Sequence, residues 1–127
     1  MALLRTFGLL VPLAVGLTAC RPAASGTDLV AARQLYLARG CAACHGPEGA
    51  GDGPAARATR RPPRDLRDAA SFTGPRTEAA IAEVIARGIE GDRGGMPPQS
   101  FLPEHERRTL ARFVLSLSES SPSSKGP

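Results

Sequence analysis

The sequence predicts an all-α domain: about three main helices joined by long loops. Three observations lead there. Apolar residues recur at three- and four-residue spacing in three separate stretches, no stretch alternates as a strand, and the connections are rich in glycine and proline, 14 and 12 residues respectively. A length of 127 residues favours one domain. Large side chains are scarce, with no Trp, one Tyr and four Phe, so the loops need something besides protein to pack on.

The first helix is expected from about Asp28 to Arg39, capped by Thr27 or Asp28 and ended by Gly40. Leu29, Ala32, Leu35 and Tyr36 form its buried stripe. The second covers about Thr77 to Arg87, with Ile81, Val84 and Ile85 inward and Gly88 at its end. The third covers about Glu104 to Leu117, with Leu110, Phe113, Val114 and Leu117 inward.

The N-terminus carries a different pattern. Arg5 gives a positive start and Phe7 to Leu17 is an apolar run interrupted by Pro12, too short for the ~20 residues of a spanning helix but typical of an export signal. The quartet Leu17-Thr18-Ala19-Cys20 resembles the lipobox of bacterial lipoproteins, which implies cleavage before Cys20 and acylation of it. An ordinary cleaved signal with an incidental cysteine is the alternative. Cysteine usage agrees with acylation: Cys41 and Cys44 belong together by spacing, and Cys20 is left over as a thiol that an oxidising compartment would punish. The expected organisation is therefore a signal over 1–19, an anchor and flexible tether over 20–27, the domain over 28–117 and a disordered tail over 118–127. That places the chain in a bacterial periplasm or cell envelope, held to a membrane by lipid.

The formal net charge is +4, and Lys125 is the one lysine among 16 basic residues. The densest stretch is Arg57, Arg60, Arg61, Arg64 and Arg67, with Asp65 among them. No interleaving of aromatics points to nucleic acid. The stretch reads as a solvated face or as a docking surface for an acidic partner.

Cys41-Ala42-Ala43-Cys44-His45 carries the chemistry. Two thiols at i and i+3 of a helical turn project from nearby positions and match the two vinyl groups of one haem, and the next residue presents an imidazole to the iron. CxxCH is the attachment sequence of c-type haem, and a single copy implies one haem. A zinc half-site would want a second ligand pair, and a thioredoxin-like dithiol would want strands around it. The domain offers only His105 for the first and nothing for the second.

Met96 is the expected sixth ligand, and the only methionine left once the signal is removed. It sits in Gly91-Asp92-Arg93-Gly94-Gly95-Met96-Pro97-Pro98, a loop whose glycines let the chain approach closely and whose prolines stiffen it. The rival, His105, lies among Glu104, Glu106, Arg107 and Arg108 at the start of a helix, where a solvent-facing role is plainer. His/Met ligation raises the reduction potential.

Over residues 28 to 117 the sequence resembles the class I (mitochondrial-type) c-type cytochromes in their bacterial monohaem lipoprotein form. The residues that carry the resemblance are Tyr36 and Gly40 before CAACH, the loop Gly46, Gly49, Gly51, Asp52, Gly53, Pro54, then Pro63, Arg64 and Asp65, the run Ile85, Gly88, Met96, Pro97, and the closing helix Leu110, Phe113, Val114, Ser116, Leu117. Pro103 and Phe113 depart from the family's usual helix cap and its Tyr or Trp, and the Met loop is longer than its short form. The resemblance implies a small cytochrome c fold wrapped around one covalent haem c. It also implies that the carbonyl of Pro54 holds the ring N–H of His45, that Arg64 pairs with a haem propionate, and that the aromatic of the last helix packs across the first.

The function expected is one-electron, outer-sphere transfer between membrane-associated respiratory redox partners, without a small-molecule substrate or catalysis. Two alternatives stand beside it. One is a haem-based gas or redox sensor with a dissociable Met96. The other is a fixed electron-entry subunit of a larger oxidase, reductase or dehydrogenase.

Overall fold

Ser25 opens the first helix. In the computed structural model, which describes residues 25–90 and 95–119, Ser25 is the N-cap of α1 (Gly26–Ala38). Its hydroxyl accepts from the Asp28 N–H, and its own N–H donates to the Asp28 carboxylate at 3.2 Å. This capping box satisfies two helix-end groups reciprocally. Gly26 and Thr27 thus lie inside the helix, ahead of the expected start at Asp28, because Asp28 serves as the third helical residue of the box and not as the cap. Cys20, the signal, the rest of the tether and residues 120–127 lie outside the described residues.

Gly40, at φ +76°, turns the chain out of α1 and into the single turn α2 (Ala42–His45). Loops with two short 3₁₀ turns, Ala56–Ala58 and Ala69–Ser71, lead to α3 (Glu78–Arg87). Thr77 caps α3 through the Ala80 N–H at 3.2 Å, and Gly88 ends it, as expected. α4 (Glu104–Glu119) follows, its first turn anchored by the Glu106 and Arg107 N–H groups on the Pro103 carbonyl, both at 3.1 Å. Among the described residues the only strand-like pairing is an antiparallel bridge between Ile89 and Met96. No described helix is long and apolar enough to cross a membrane.

α4 packs against both α1 and α3. Ala32 and Tyr36 of α1, Ile81, Ala82 and Ile85 of α3, and Leu110, Ala111, Phe113 and Val114 of α4 make the core, joined by Leu66 and Leu102 from the loops. Ala32 is small enough for the α1–α4 approach. The Tyr36 and Phe113 rings meet with centroids 4.9 Å apart and a 53° tilt, the aromatic crossing that the resemblance implied. Val84 departs from expectation: it is exposed, and Ala82 takes the inward place. Ala82 and Val84 flank the Ile81–Ile85 line on opposite sides, so helical spacing alone does not choose between them; the Ala82 side faces the core, where a small alanine lets α3 approach α4. Glu78 at the start of α3 pairs with Arg108 and Arg112 of α4, both at 3.4 Å, and Arg39 after α1 pairs with Glu106 at 2.5 Å.

Candidate functional site

α2 is the site's scaffold. The Cys41 N–H donates to the Tyr36 carbonyl at 3.2 Å, and the His45 and Gly46 N–H groups close the turn on the Cys41 and Ala42 carbonyls at 3.0 and 2.9 Å. Cys41 and Cys44, three residues apart on this turn, are free thiols, both half-buried. Burial pushes the Cys41 thiol up from its ordinary pKa. Exchange-active dithiols carry a lowered pKa, so the microenvironment does not suit a thioredoxin-like pair. Nor do the described residues bring together three or more His, Cys, Asp or Glu side chains as a metal-holding group, which leaves the zinc reading without its second ligand pair.

The loop after α2 folds back over it. Gly53 donates to the Cys44 carbonyl at 3.1 Å and Ala55 to the Ala43 carbonyl at 2.8 Å. A methyl group on Gly53 would strike the Ala42 and Ala43 carbonyls, so only glycine lets the loop lie this close. The buried Tyr36 hydroxyl donates to the Gly46 carbonyl at 2.7 Å, next to His45. Sequence reasoning placed Tyr36 on the buried stripe and missed this bond. The signal available was chemical: a buried tyrosine needs a partner for its hydroxyl.

His45 is half-buried, and desolvation lowers its pKa, which favours neutral imidazole. Its Nδ1 is buried and makes no hydrogen bond of standard geometry. A main-chain group of Arg64 offsets the desolvation in part by raising the ring's proton affinity. Pro54 is exposed on the loop that folds back over α2. The Arg64 guanidinium donates to the Ser71 carbonyl and, at 3.3 Å, to the Thr73 hydroxyl.

Met96 is half-buried and packs on the edge of the core. Its carbonyl accepts from the Ile89 N–H at 2.9 Å, and the Gln99 N–H donates to the Ile85 carbonyl at 3.0 Å, so the loop is pinned back onto the end of α3. Gly88 permits this with φ +72°, and a side chain there would strike the Met96 carbonyl. Residues 91–94 of the loop lie outside the described residues. His105 is exposed on the first turn of α4.

A small all-α frame carrying a CxxCH turn beside a pinned methionine loop defines a class of haem-attaching domains. The Cytochrome c family model matches residues 29–118, and the chain belongs to that family. Its cofactor is covalent haem c with its iron. Among solved structures, a chain of the Kuenenia stuttgartiensis reducing HAO-like protein complex is similar, with 28% identity and a TM-score of 0.60. The match covers 77% of this chain and 46% of that one, so the present chain spans about half the length of its structural relative. A search of the curated proteins finds no match. The residues present fit the haem: two reduced thiols on one turn, and a neutral imidazole whose Nδ1 turns inward and leaves Nε2 as the ring's remaining donor.

Proposed function

We propose that this chain is a monohaem one-electron carrier between membrane-associated respiratory redox partners, working by outer-sphere transfer. Cys41 and Cys44 form the thioethers, His45 and Met96 are the axial ligands, and the lipidated Cys20 holds the protein to a membrane of the bacterial periplasm or cell envelope. When bound, the haem supplies a one-electron couple between ferrous and ferric iron. The observation that carries the reading is the α2 turn, where the free thiols of Cys41 and Cys44 and the desolvated, neutral His45 lie together in one hydrogen-bonded unit.

The chain's own residues do the rest. Tyr36 fixes the peptide beside His45, and the Gly46–Ala55 loop covers the turn with main-chain bonds that leave no room for a side chain at Gly53. The Ile89–Met96 bridge sets the main chain of the methionine. His45 and Met96 would together hold the iron, which suits a carrier rather than an enzyme. Optical spectra of the haem-loaded protein test this: the ferric form should show the weak near-infrared band of thioether-sulfur ligation, lost in Met96→Ala. A native protein without the band would rule out Met96 as a stable ligand.

A second reading has one observation in its favour. The structural relative is a longer chain of a protein complex, of which the match covers 46%, and this supports a fixed electron-entry subunit. Co-purification with a stable partner would favour that reading over a mobile carrier.

A further inference from the structure

α1 turns an uncharged face to solvent, unlike the other two long helices. The exposed residues of α3 are Ala79, Glu83, Val84 and Arg87, and those of α4 are Glu104, His105, Arg108 and Glu119, so both of those outer faces carry charge. On α1, Thr27, Val30, Ala31, Gln34, Leu37 and Ala38 are all exposed, and helical spacing gathers them within an arc of about 120°. Val30 is 60% exposed and Leu37 41%. The opposite side of the helix, with Ala32 and Tyr36, is buried where α1 packs on α4. The charges of α1 are kept off the outer face: Asp28 is held in the Ser25 capping box, and Arg33, at the edge of the face, is drawn to Glu48 at 2.8 Å. A contiguous apolar face on an outer helix marks a surface of contact.

The place of α1 in the chain says what covers it. Its N-cap, Ser25, comes five residues after Cys20. Five residues reach at most about 18 Å in any conformation, less than the roughly 20 Å length of the 13-residue helix. An acylated Cys20 therefore keeps α1 beside the bilayer, at the high local concentration where a weak apolar contact forms. We propose that the outer face of α1 rests on the lipid bilayer, with Val30 and Leu37 entering the boundary between headgroups and acyl chains. The proposal rests on the acylation of Cys20. The acyl chains supply attachment, and the helix face supplies orientation, with α4 on the side of α1 away from the lipid. No ion has to be desolvated on this face, so the contact needs no anionic lipid and persists in high salt.

Spin-label accessibility in phosphatidylcholine vesicles tests this. Gln34→Cys on the α1 face and Glu83→Cys on the outer face of α3 each take one nitroxide in the haem-loaded, acylated protein. Collisions with a water-soluble nickel complex should be about tenfold rarer at position 34 than at position 83, and collisions with oxygen more frequent, the signature of hydrocarbon. High salt should leave the difference unchanged. Adding Val30→Asp and Leu37→Asp should make position 34 as wet as position 83 while the protein still floats with the vesicles and keeps its haem. Equal nickel accessibility at the two positions without those changes overturns the proposal. So does a label at position 34 that loses both nickel and oxygen collisions, because a second copy or a redox partner then covers the face. An intact mass without acyl chains on Cys20 takes away the anchor and the proposal with it, whereas acylated protein with a wet position 34 removes the contact alone.

Discussion

The helical frame and the loop half of this molecule hold together by different means. In the frame, α1, α3 and α4 meet through apolar side chains, with Tyr36 and Leu110 each 1% exposed and Ala111 fully buried. Between Gly40 and Thr77, and between Gly88 and Pro103, Leu66 and Leu102 are the only buried hydrophobics among the described residues. Those loops are shaped instead by main-chain hydrogen bonds and by glycines pressed against carbonyls. The frame carries its own core, whereas the loops have too little apolar surface to order themselves. Their order should depend on the haem that the family binds, and on the bonds that hold α2.

The largest effect expected is a complete one. Changing both Cys41 and Cys44 to Ser should abolish covalent haem, seen as the loss of the haem increment in the intact mass. In that chain, hydrogen exchange should divide the molecule: amides of α1 and α4 keep protection while those of Gly51, Gly53 and Ala55 lose it. Equal loss in both halves would erase the distinction. In the frame, Leu110→Ala should cost about 2–5 kcal/mol in denaturant unfolding, because it empties a fully packed site. Gly53→Ala should cost less, about 1–3 kcal/mol, by forcing the loop off α2, and should also lower haem loading. If Gly53→Ala proved as mild as an exposed surface change, the close packing on α2 would be dispensable.

The smallest effect concerns the first turn of α1. The Ser25 hydroxyl and N–H hold the Asp28 carboxyl below its usual pKa. A depressed folded-state pKa means that this contribution is complete above the unfolded value of 3.8 and is lost as pH falls through the folded value. Acidification below about pH 4 should therefore fray residues 26–28 first, measurable as faster exchange of the Asp28 and Leu29 amides, and Asp28→Asn should remove the pH dependence.

Much of this was legible in the residues themselves. The three long helices follow from apolar spacing, and Gly40 and Gly88 mark their ends because a turn at positive φ selects glycine. Val84 was misplaced because Ala82 and Val84 flank the Ile81–Ile85 line equally, and only the packing of α3 on α4 decides which side turns inward. Ser25 was missed because its box is completed by Asp28, where the usual pattern has Glu or Gln. The main-chain pairings of the long loops were not legible, because which carbonyl meets which donor depends on where an irregular loop returns, and no local pattern records that.

By itself the sequence determined everything that is contiguous: the helices, their glycine stops, and the Cys41-Ala42-Ala43-Cys44-His45 turn, since one turn of helix sets the mutual placement of neighbours at i, i+3 and i+4. Tertiary structure alone decided the pairings between distant segments. It brought the Tyr36 hydroxyl to Gly46, the Leu66 N–H to Gly49 and Ile89 to Met96, because a hydrogen bond between loops forms only where the packed frame delivers donor and acceptor to the same place.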